Sequence, residues 1–176
     1  YSKEHLDLIY ENAKILDLPI QVFETNIFDI VDAQEDKGSP CYLCARMRRG
    51  ALYRIAKEYG CNKIALGHHL DDMLHTLLMN LTFQGSFSTM PPLLKMDKFD
   101  MKIIRPLSLV EEKDLIEYSK FREFKKQQHN CPYETDSNRT SVQEVLDKMI
   151  ALNPHAKSSM LNAMMNVQED YLPKKK

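Results

Sequence analysis

The stretch NKIALGHHLDD, residues 62–72, decides the fold class of this chain. Its first half is short, apolar and β-branched, which predicts a buried strand that ends near Gly67. Two histidines then form a turn, and Asp71 and Asp72 fall in the first turn of an apolar helix, where the helix dipole favours negative charge. A buried strand that leads directly into a helix is typical of the α/β class.

The segments on either side of this stretch continue the alternation of helix and strand. Apolar residues at helical spacing predict helices over 2–18 and 42–59, and IQVFE, residues 20–24, predicts a strand between them. Gly60 is the expected C-terminal cap of the second helix. Downstream, the sequence predicts a strand within 101–107 and helices within 110–121, 141–152 and 156–167. The order predicts a parallel sheet with helices on both faces, with ligands beyond the carboxyl ends of its strands.

Composition sets the kind of protein to expect. The chain has 176 residues, of which 43% are hydrophobic and 28% charged, so it is long enough for one compact fold and unlike disordered chains. Its formal charge of -1 means that nucleic acid could be bound only through local basic patches. No long apolar run or secretory signal is present, so we expect a cytoplasmic protein with no membrane partner. The sparse cysteines then favour metal-binding or catalytic thiols over a disulfide scaffold.

The turn at residues 67–72 is the first candidate site. Gly67, His68, His69, Asp71 and Asp72 converge at the predicted carboxyl edge of the sheet. Imidazoles and carboxylates at such an edge could hold a nucleotide and its Mg²⁺. The competing interpretation is helix capping, which explains one acid easily and two acids with two histidines less well.

A second candidate site is the pair Cys41 and Cys44 at the start of a predicted helix. A lone CxxC pair serves zinc, redox and iron–sulfur sites alike, so its spacing does not choose among them. A zinc site would need Cys131 and a histidine as further ligands, and two incidental thiols are a further alternative. Cys61 begins an apolar strand and is more simply a core thiol.

Two basic clusters flank these cysteines. They consist of Arg46, Arg48, Arg49 and Arg54 after the CxxC pair, and of Lys120, Arg122, Lys125 and Lys126 before Cys131. A solvated helix face is the ordinary explanation of such charges. Two clusters that each adjoin a cysteine also fit a surface that contacts the phosphate backbone of a nucleic acid.

Several motifs together resemble the tRNA 2-thiocytidine synthetase family of PP-loop ATPases. They are CYLCARMRRGALYRIAKEYGCNKIALGHHLDD at 41–72, MPPLL at 90–94, IIRPL at 103–107 and the single downstream Cys131, in that order. The resemblance implies a Rossmann-like adenine nucleotide α-hydrolase fold. It also implies an enzyme that adenylates a cytidine in the tRNA anticodon loop and replaces its C2 oxygen with sulfur.

The resemblance also implies cofactors, partners and residue roles. A 4Fe–4S cluster would be held by Cys41, Cys44 and Cys131, and ATP with Mg²⁺ would bind at the turn. The implied catalytic residues are His68, His69, Asp71 and Asp72, and the implied nucleotide-binding residues are Gly67, His68 and Asp72. The tRNA-binding residues would be Arg46, Arg48, Arg49, Lys125 and Lys126. A sulfur donor protein or sulfide and a second copy of the chain, forming a homodimer, are the other expected partners.

The sequence departs from the family at two places. The phosphate-binding loop SGGKDS is absent, and CPYE at 131–134 keeps only the first cysteine of the second CxxC pair in familiar members. We therefore expect a partial domain that is inactive alone, with 1–134 as the C-terminal part of a PP-loop ATPase domain and 135–176 as a helical extension. The alternatives are thiolation of another tRNA base, a non-catalytic zinc-stabilised nucleic-acid-binding module, and a redox protein.

Overall fold

The computed structural model describes residues 3–33, 40–96, 100–127, 131 and 138–173. The α-helices in these ranges are α1 (Lys3–Ile15), α2 (Ile27–Asp32), α3 (Pro40–Glu58), α4 (Leu70–Met79), α5 (Glu112–Phe121), α6 (Asn138–Leu152) and α7 (Ala156–Met165). The strands are β1 (Lys63–Ala65), β2 (Leu93–Lys95) and β3 (Lys102–Ile104). A π-helical turn (Asn80–Gln84) extends α4, and a 3₁₀ turn (Glu169–Tyr171) follows α7.

The three strands form one sheet in the order β1-β3-β2. β1 and β3 are parallel, because the hydrogen bonds between them advance in the same direction along both. Lys102 N–H donates to the carbonyl of Asn62 at 3.0 Å, and Leu66 N–H donates to the carbonyl of Ile104 at 2.9 Å. This pair confirms the predicted α/β class, and it places the segments after β1 and β3 at one edge of the sheet.

The third strand, β2, makes the sheet mixed. Met96 N–H donates to the carbonyl of Met101 at 3.1 Å, and Arg105 N–H donates to the carbonyl of Pro92 at 2.8 Å, so β2 and β3 are antiparallel. The sequence predicted a wholly parallel sheet and a loop at residues 93–95. The strand was missed because its three residues are too few for an alternating pattern, and pairing with β3 alone defines it.

The end of α3 follows its sequence signal closely. Gly60 has a left-handed backbone (φ 66°), which glycine adopts without a steric penalty. Cys61 N–H donates to the carbonyl of Ala56 at 2.8 Å, and Gly60 N–H donates to the carbonyl of Lys57 at 3.0 Å. These two bonds form a Schellman motif, so the predicted glycine cap is confirmed.

The predicted strand at residues 20–24 is wrong. No helix or strand is present between residues 18 and 26, and the side chains of Ile20, Val22 and Phe23 are exposed. High β-propensity gives a strand only when a neighbouring strand completes the hydrogen-bond ladder, and no described residue does so here. Helix α2, which the sequence did not predict, follows this segment, and its Ile27 and Val31 are buried.

Contacts divide the chain into two compact units. The first comprises Tyr1–Ile64, Lys95–Lys102 and Glu112–Thr135, and the second comprises Ala65–Leu94, Ile103–Glu111 and Asp136–Lys176. In the first unit α2 packs on α3, and in the second α4 packs on both α6 and α7. Helices α6 and α7, which belong to the expected C-terminal extension, thus share a unit with the turn at residues 67–72.

The core of the second unit is formed by aliphatic side chains of its three helices. Leu70, Leu74 and Leu146 form a buried cluster, and the last two are fully buried. The partly buried side chains of Leu78, Ile150, Met160, Leu161 and Met164 pack against this cluster. This packing fixes the first turn of α4 against α6 and α7, which matters because that turn carries both aspartates.

We expect Leu146→Ala to lower the free energy of unfolding by about 2–5 kcal/mol, because it opens a cavity in a fully buried site. Leu152→Ala in the same helix is the matched control, since Leu152 is 89% exposed, and it should cost less than about 0.5 kcal/mol. Urea unfolding of both variants measures the difference. Equal losses would show that this cluster does not stabilise the unit.

Candidate functional site

The first candidate site lies where the loop after β1 enters α4. His69 is the N-cap residue of α4, with an extended backbone (φ -112°, ψ -178°), and its N–H donates to Oδ2 of Asp72 at 3.0 Å. Leu70 N–H donates to the carbonyl of Val110 at 2.9 Å, which ties this turn to the loop after β3. Local capping and a long-range backbone bond therefore fix the turn together.

Both aspartates of this turn are buried. The exposed fraction is 3% for Asp71 and 8% for Asp72. A buried carboxylate stays ionised only when nearby positive groups and hydrogen bonds replace its lost hydration. The helix dipole gives part of that compensation, and side chains from other helices must give the rest.

Asp71 is compensated by Lys157 of α7. The Lys157 Nζ atom lies 2.5 Å from Oδ1 of Asp71 and 3.0 Å from Oε2 of Glu111, so one ammonium group bridges two carboxylates. Burial lowers the pKa of Lys157, but its hydrogen bonds and charge interactions with these two acids outweigh that effect and raise the pKa above its ordinary value. Lys157 is therefore charged throughout the neutral range.

Asp72 is compensated by Arg139 of α6. The Nη2 atom of Arg139 donates a hydrogen bond to Oδ1 of Asp72, while Oδ2 of Asp72 lies 3.3 Å from Nε2 of His69. The Arg139 side chain is 54% exposed, whereas that of Lys157 is 19% exposed. The Asp72 pair is thus open to water on its cationic side, and the Asp71 pair is largely closed.

His68 lies in a positively charged part of the same turn. Burial lowers the pKa of His68, and the charges of Arg105, Arg139 and His69 lower it further, so the ring is neutral at neutral pH. Arg105 directly follows β3, is 8% exposed, and donates from Nη1 to the carbonyl of Pro91 at 2.5 Å. Because β1 and β3 are parallel, Arg105 and His68 both follow carboxyl ends of neighbouring strands.

The structure thus places the five residues predicted from the GHHLDD stretch around one helix terminus. Gly67 is exposed, and an added Cβ would meet no heavy atom within 4 Å, so packing does not require glycine there. His69 approaches both acids, with its Nδ1 atom 3.8 Å from Oδ2 of Asp71. Within the described part of the chain, no three His, Cys, Asp or Glu side chains are arranged to hold a metal ion, so the Mg²⁺ role stays a prediction.

The thiols of the second candidate site belong to the first unit. Cys41 and Cys44 lie three residues apart in the first turns of α3, which places their side chains on one face of the helix. Cys41 and Cys131 are exposed, Cys44 is half-buried, and none of them is in a disulfide. Cys61 is exposed too, so its expected place in the core is wrong. Thiols that are not in a disulfide and lie at or near the surface suit a metal or cluster. In the described ranges, no three such side chains form a group that could hold a metal ion, so the convergence of these cysteines stays a prediction.

The segment that leads to Cys131 is held against α1. The Asn12 side chain donates to the carbonyl of Lys125 at 2.9 Å and accepts from the Lys125 N–H at 2.8 Å. Gln127 then donates from its side chain to the carbonyl of His5 at 3.1 Å. These bonds give residues 125–127 a defined path along α1.

The predicted RNA-binding side chains are at the surface. Arg46, Arg48, Arg49 and Arg54 are all exposed, whereas the apolar stripe of α3 is half-buried, which confirms that the arginines point outward. Lys125 and Lys126 are also exposed, and Lys125 forms an ion pair with Glu11 at 2.6 Å. Such a surface pair is weak, so it would compete little with a phosphate.

Sequence reasoning missed the positive groups of the first site. Arg105 stands in IIRPL, inside the predicted strand segment 101–107, and its position near the carboxyl end of that segment was the available signal. No sequence signal pointed to the cations Arg139 and Lys157, or to the acid Glu111 that shares Lys157, because each is an ordinary charged residue in or beside an amphipathic helix. Only the packing of α6 and α7 on α4 brings the two cations to the aspartates.

Comparison with protein families and curated proteins gives consistent matches. The PP-loop domain family matches residues 2–148. The tRNA-cytidine(32) 2-sulfurtransferase of Citrifermentans bemidjiense is 37% identical over 175 residues, which cover 98% of this chain and 69% of that protein. The enzymes of the same name from Geobacter sulfurreducens and Neisseria meningitidis serogroup A are each 40% identical, over 84% and 88% of this chain.

Among solved structures, the U34-tRNA thiolase NcsA from Methanococcus maripaludis, which contains a 4Fe–4S cluster, is similar in fold. The TM-score is 0.74 at 25% identity, and the match covers 99% of this chain and 60% of that protein. The chain spans 49% of the Neisseria relative and 59% of the G. sulfurreducens relative. The match therefore takes in most of this chain and a part of each longer protein.

Among the helices that the structure describes, none is both long enough and apolar enough to cross a bilayer.

The lowered pKa of His68 predicts a pH-dependent stability. Below pH 6.5 the unfolded chain takes up the His68 proton before the folded chain does, so the folded state loses stability as the pH falls. His68→Gln removes this loss. We expect the wild-type protein to lose more unfolding free energy than the variant between neutral and mildly acidic pH. Denaturant unfolding across that range measures the difference, and a constant difference would contradict a lowered pKa.

Proposed function

Because the chain belongs to the PP-loop domain family, we propose that it is part of an enzyme that carries out ATP-dependent thiolation of tRNA, at C2 of a cytidine in the anticodon loop. The relatives named tRNA-cytidine(32) 2-sulfurtransferase support this reaction, at 37–40% identity over most of the chain. The observation in the structure that carries the proposal is the buried pair Asp71 and Asp72 at the carboxyl edge of β1. Such an edge is the usual ligand position in α/β proteins.

The proposed reaction explains the need for ATP. A ring carbonyl oxygen is a poor leaving group, so the C2 oxygen of cytidine attacks the α-phosphorus of ATP and pyrophosphate leaves. A sulfur nucleophile then attacks C2, and the oxygen departs with AMP. Holding both reactants against the same carbon supplies much of the rate enhancement.

The residues of the first site would serve the nucleotide. Gly67 leaves space beside the turn, and neutral His68 can accept or donate a hydrogen bond without adding charge. Asp72, whose partner Arg139 is half-exposed, is the carboxylate better placed to meet the phosphates and Mg²⁺. Arg139 would then pair with phosphate oxygens, since a guanidinium group binds phosphate and carboxylate with similar geometry.

The cysteines of the first unit would hold the iron–sulfur cluster. We assign Cys41, Cys44 and Cys131 as its ligands, and the 4Fe–4S cluster of the similar U34-tRNA thiolase supports that assignment. When bound through three thiolates, a cluster supplies an iron with an open coordination position for sulfide. The chain itself contributes the accessible thiols and the path of residues 122–127 along α1.

The exposed arginines of α3 would bind the tRNA backbone. Arg46, Arg48 and Arg49 follow the thiols on the same helix and keep their hydration, so phosphate groups can replace bound water and counterions. Lys125 and Lys126 would extend this surface. A sulfur donor protein or sulfide, a homodimer and a cytoplasmic location are further parts of the proposal that follow from the sequence resemblance.

A second candidate reaction is thiolation of a uridine. The similarity in fold to a U34-tRNA thiolase favours it, at 25% identity. The cytidine reaction has the stronger support, because the cytidine(32) relatives are more similar in sequence.

The test is an assay of the full-length protein, purified without oxygen, with ATP, sulfide and unmodified tRNA. Nucleosides from the digested tRNA are then separated and identified by mass. We expect 2-thiocytidine that depends on ATP. A 2-thiouridine product would support the second candidate, and the absence of any thiolated nucleoside from a folded, cluster-loaded preparation would overturn the proposal.

The RNA surface gives a second prediction. Replacing Arg48 and Arg49 with Ala removes two exposed charges, so tRNA binding should weaken and its log–log salt dependence should flatten by about one to two units. Lys57→Ala, near the other end of α3, is the control and should change neither. Binding measured over a series of salt concentrations gives the slope. An unchanged slope in the double variant would place the RNA surface elsewhere.

A further inference from the structure

Lys157 lies outside the family match and still contacts the most buried acid of the first site. The match ends at residue 148, and Lys157 is the second residue of α7. Its Nζ atom bridges Oδ1 of Asp71 at 2.5 Å and Oε2 of Glu111 at 3.0 Å. A lysine that is largely buried between two carboxylates has a defined position, unlike a lysine on a solvated helix face.

This bridge joins three separate parts of the second unit. Asp71 belongs to the first turn of α4, Glu111 ends the loop after β3, and Lys157 belongs to α7. The loop after β3 is itself fixed to the turn, because Leu70 N–H donates to the carbonyl of Val110 at 2.9 Å. The ammonium group therefore sits where the segments after two parallel strands meet.

The two aspartates differ in what could replace their partners. The Lys157 side chain is 19% exposed and holds two acids, so its removal would take a shared cation from two neighbouring carboxylates at once. Breaking a buried pair by removal of one partner costs far more than breaking a surface pair. Arg139 is 54% exposed, so an incoming anion can reach it, and it can leave Asp72 when another cation takes its place beside that buried carboxylate.

We propose that Lys157 is a positioning residue for the reaction, which acts by fixing the Asp71 carboxylate against the Glu111 loop. This inference rests on the proposed thiolation activity. Asp71 is then the fixed acid of the pair, and Asp72 is the acid that exchanges its partner when the nucleotide binds. Helix α7 thereby contributes to the first candidate site as well as to the hydrophobic core.

The test uses the full-length protein and a double-mutant cycle. Lys157→Met removes the ammonium group and keeps an unbranched apolar stem, and Asp71→Asn keeps the shape of its partner. If Lys157 acts through Asp71, the thiolation kcat should fall by about 10- to 100-fold in either single variant, because small displacements of reacting groups cost about that much. The double variant should be no worse than Asp71→Asn, within about twofold.

Two further variants separate positioning from general stability. Lys157→Arg keeps the charge and should restore most of the thiolation kcat that Lys157→Met loses. Lys148→Ala, an exposed lysine of α6, is the control and should match the wild-type protein in kcat and in melting temperature. If Lys157→Met does not fold, Glu111→Gln replaces it in the cycle, since it removes one of the two anchors of the ammonium group.

The outcomes distinguish the two levels of the proposal. A wild-type protein without thiolation activity overturns the proposed function and with it the catalytic role of Lys157. An active wild-type protein with an equally active Lys157→Met variant overturns this inference alone. Losses that simply multiply in the double variant also overturn it, because Lys157 would then act independently of Asp71. Non-multiplicative losses with rescue by Lys157→Arg support it.

Discussion

Two carboxylates buried in the first turn of one helix are the constraint on which the second compact unit depends. Asp71 and Asp72 have lost most of their contact with water, and the dipole of α4 cannot replace that hydration alone. Positive groups must therefore approach from elsewhere in the chain. Lys157 and Arg139 do so from two helices, and the leucine cluster around Leu74 and Leu146 holds those helices in place.

The cation paired with each aspartate also decides whether that aspartate can exchange its partner. A carboxylate held by a largely buried, bridging ammonium group keeps its position, while one held by a half-exposed guanidinium can change partners. The neutral ring of His68 and the buried Arg105 complete a turn in which positive and negative groups are close to balanced. Under the proposed function, a phosphorylated ligand would meet cations that are already oriented.

In the first unit, by contrast, the charged side chains of α3 stay exposed to water. The arginines of α3 are left hydrated, and the apolar stripe of the helix is only half-buried. Cys41 and Cys44 lie in its first turns. Exposed charges of one sign add little to stability, and they suit a large polyanion that binds by displacing counterions. Residues 125–127 are held against α1 by bonds between the Asn12 side chain and the Lys125 backbone, and by a bond from the Gln127 side chain to the carbonyl of His5.

Local signals in the sequence determined much of this protein. A short apolar run followed by a polar turn predicted β1 and α4, Gly60 predicted the end of α3, and the alternation of elements predicted the α/β class. Each of these depends on neighbours within a few residues, so periodicity and turn chemistry suffice. The GHHLDD turn and the arginine face of α3 could be found for the same reason.

Tertiary structure decided the rest, because it concerned pairs of residues that are distant in the chain. Residues 20–24 have the composition of a strand and lack a ladder partner, β2 exists only through β3, and Lys157 reaches Asp71 only because α7 packs on α4. A hydrogen bond or an ion pair requires a partner at a given distance, and a linear pattern of residue types does not contain that distance.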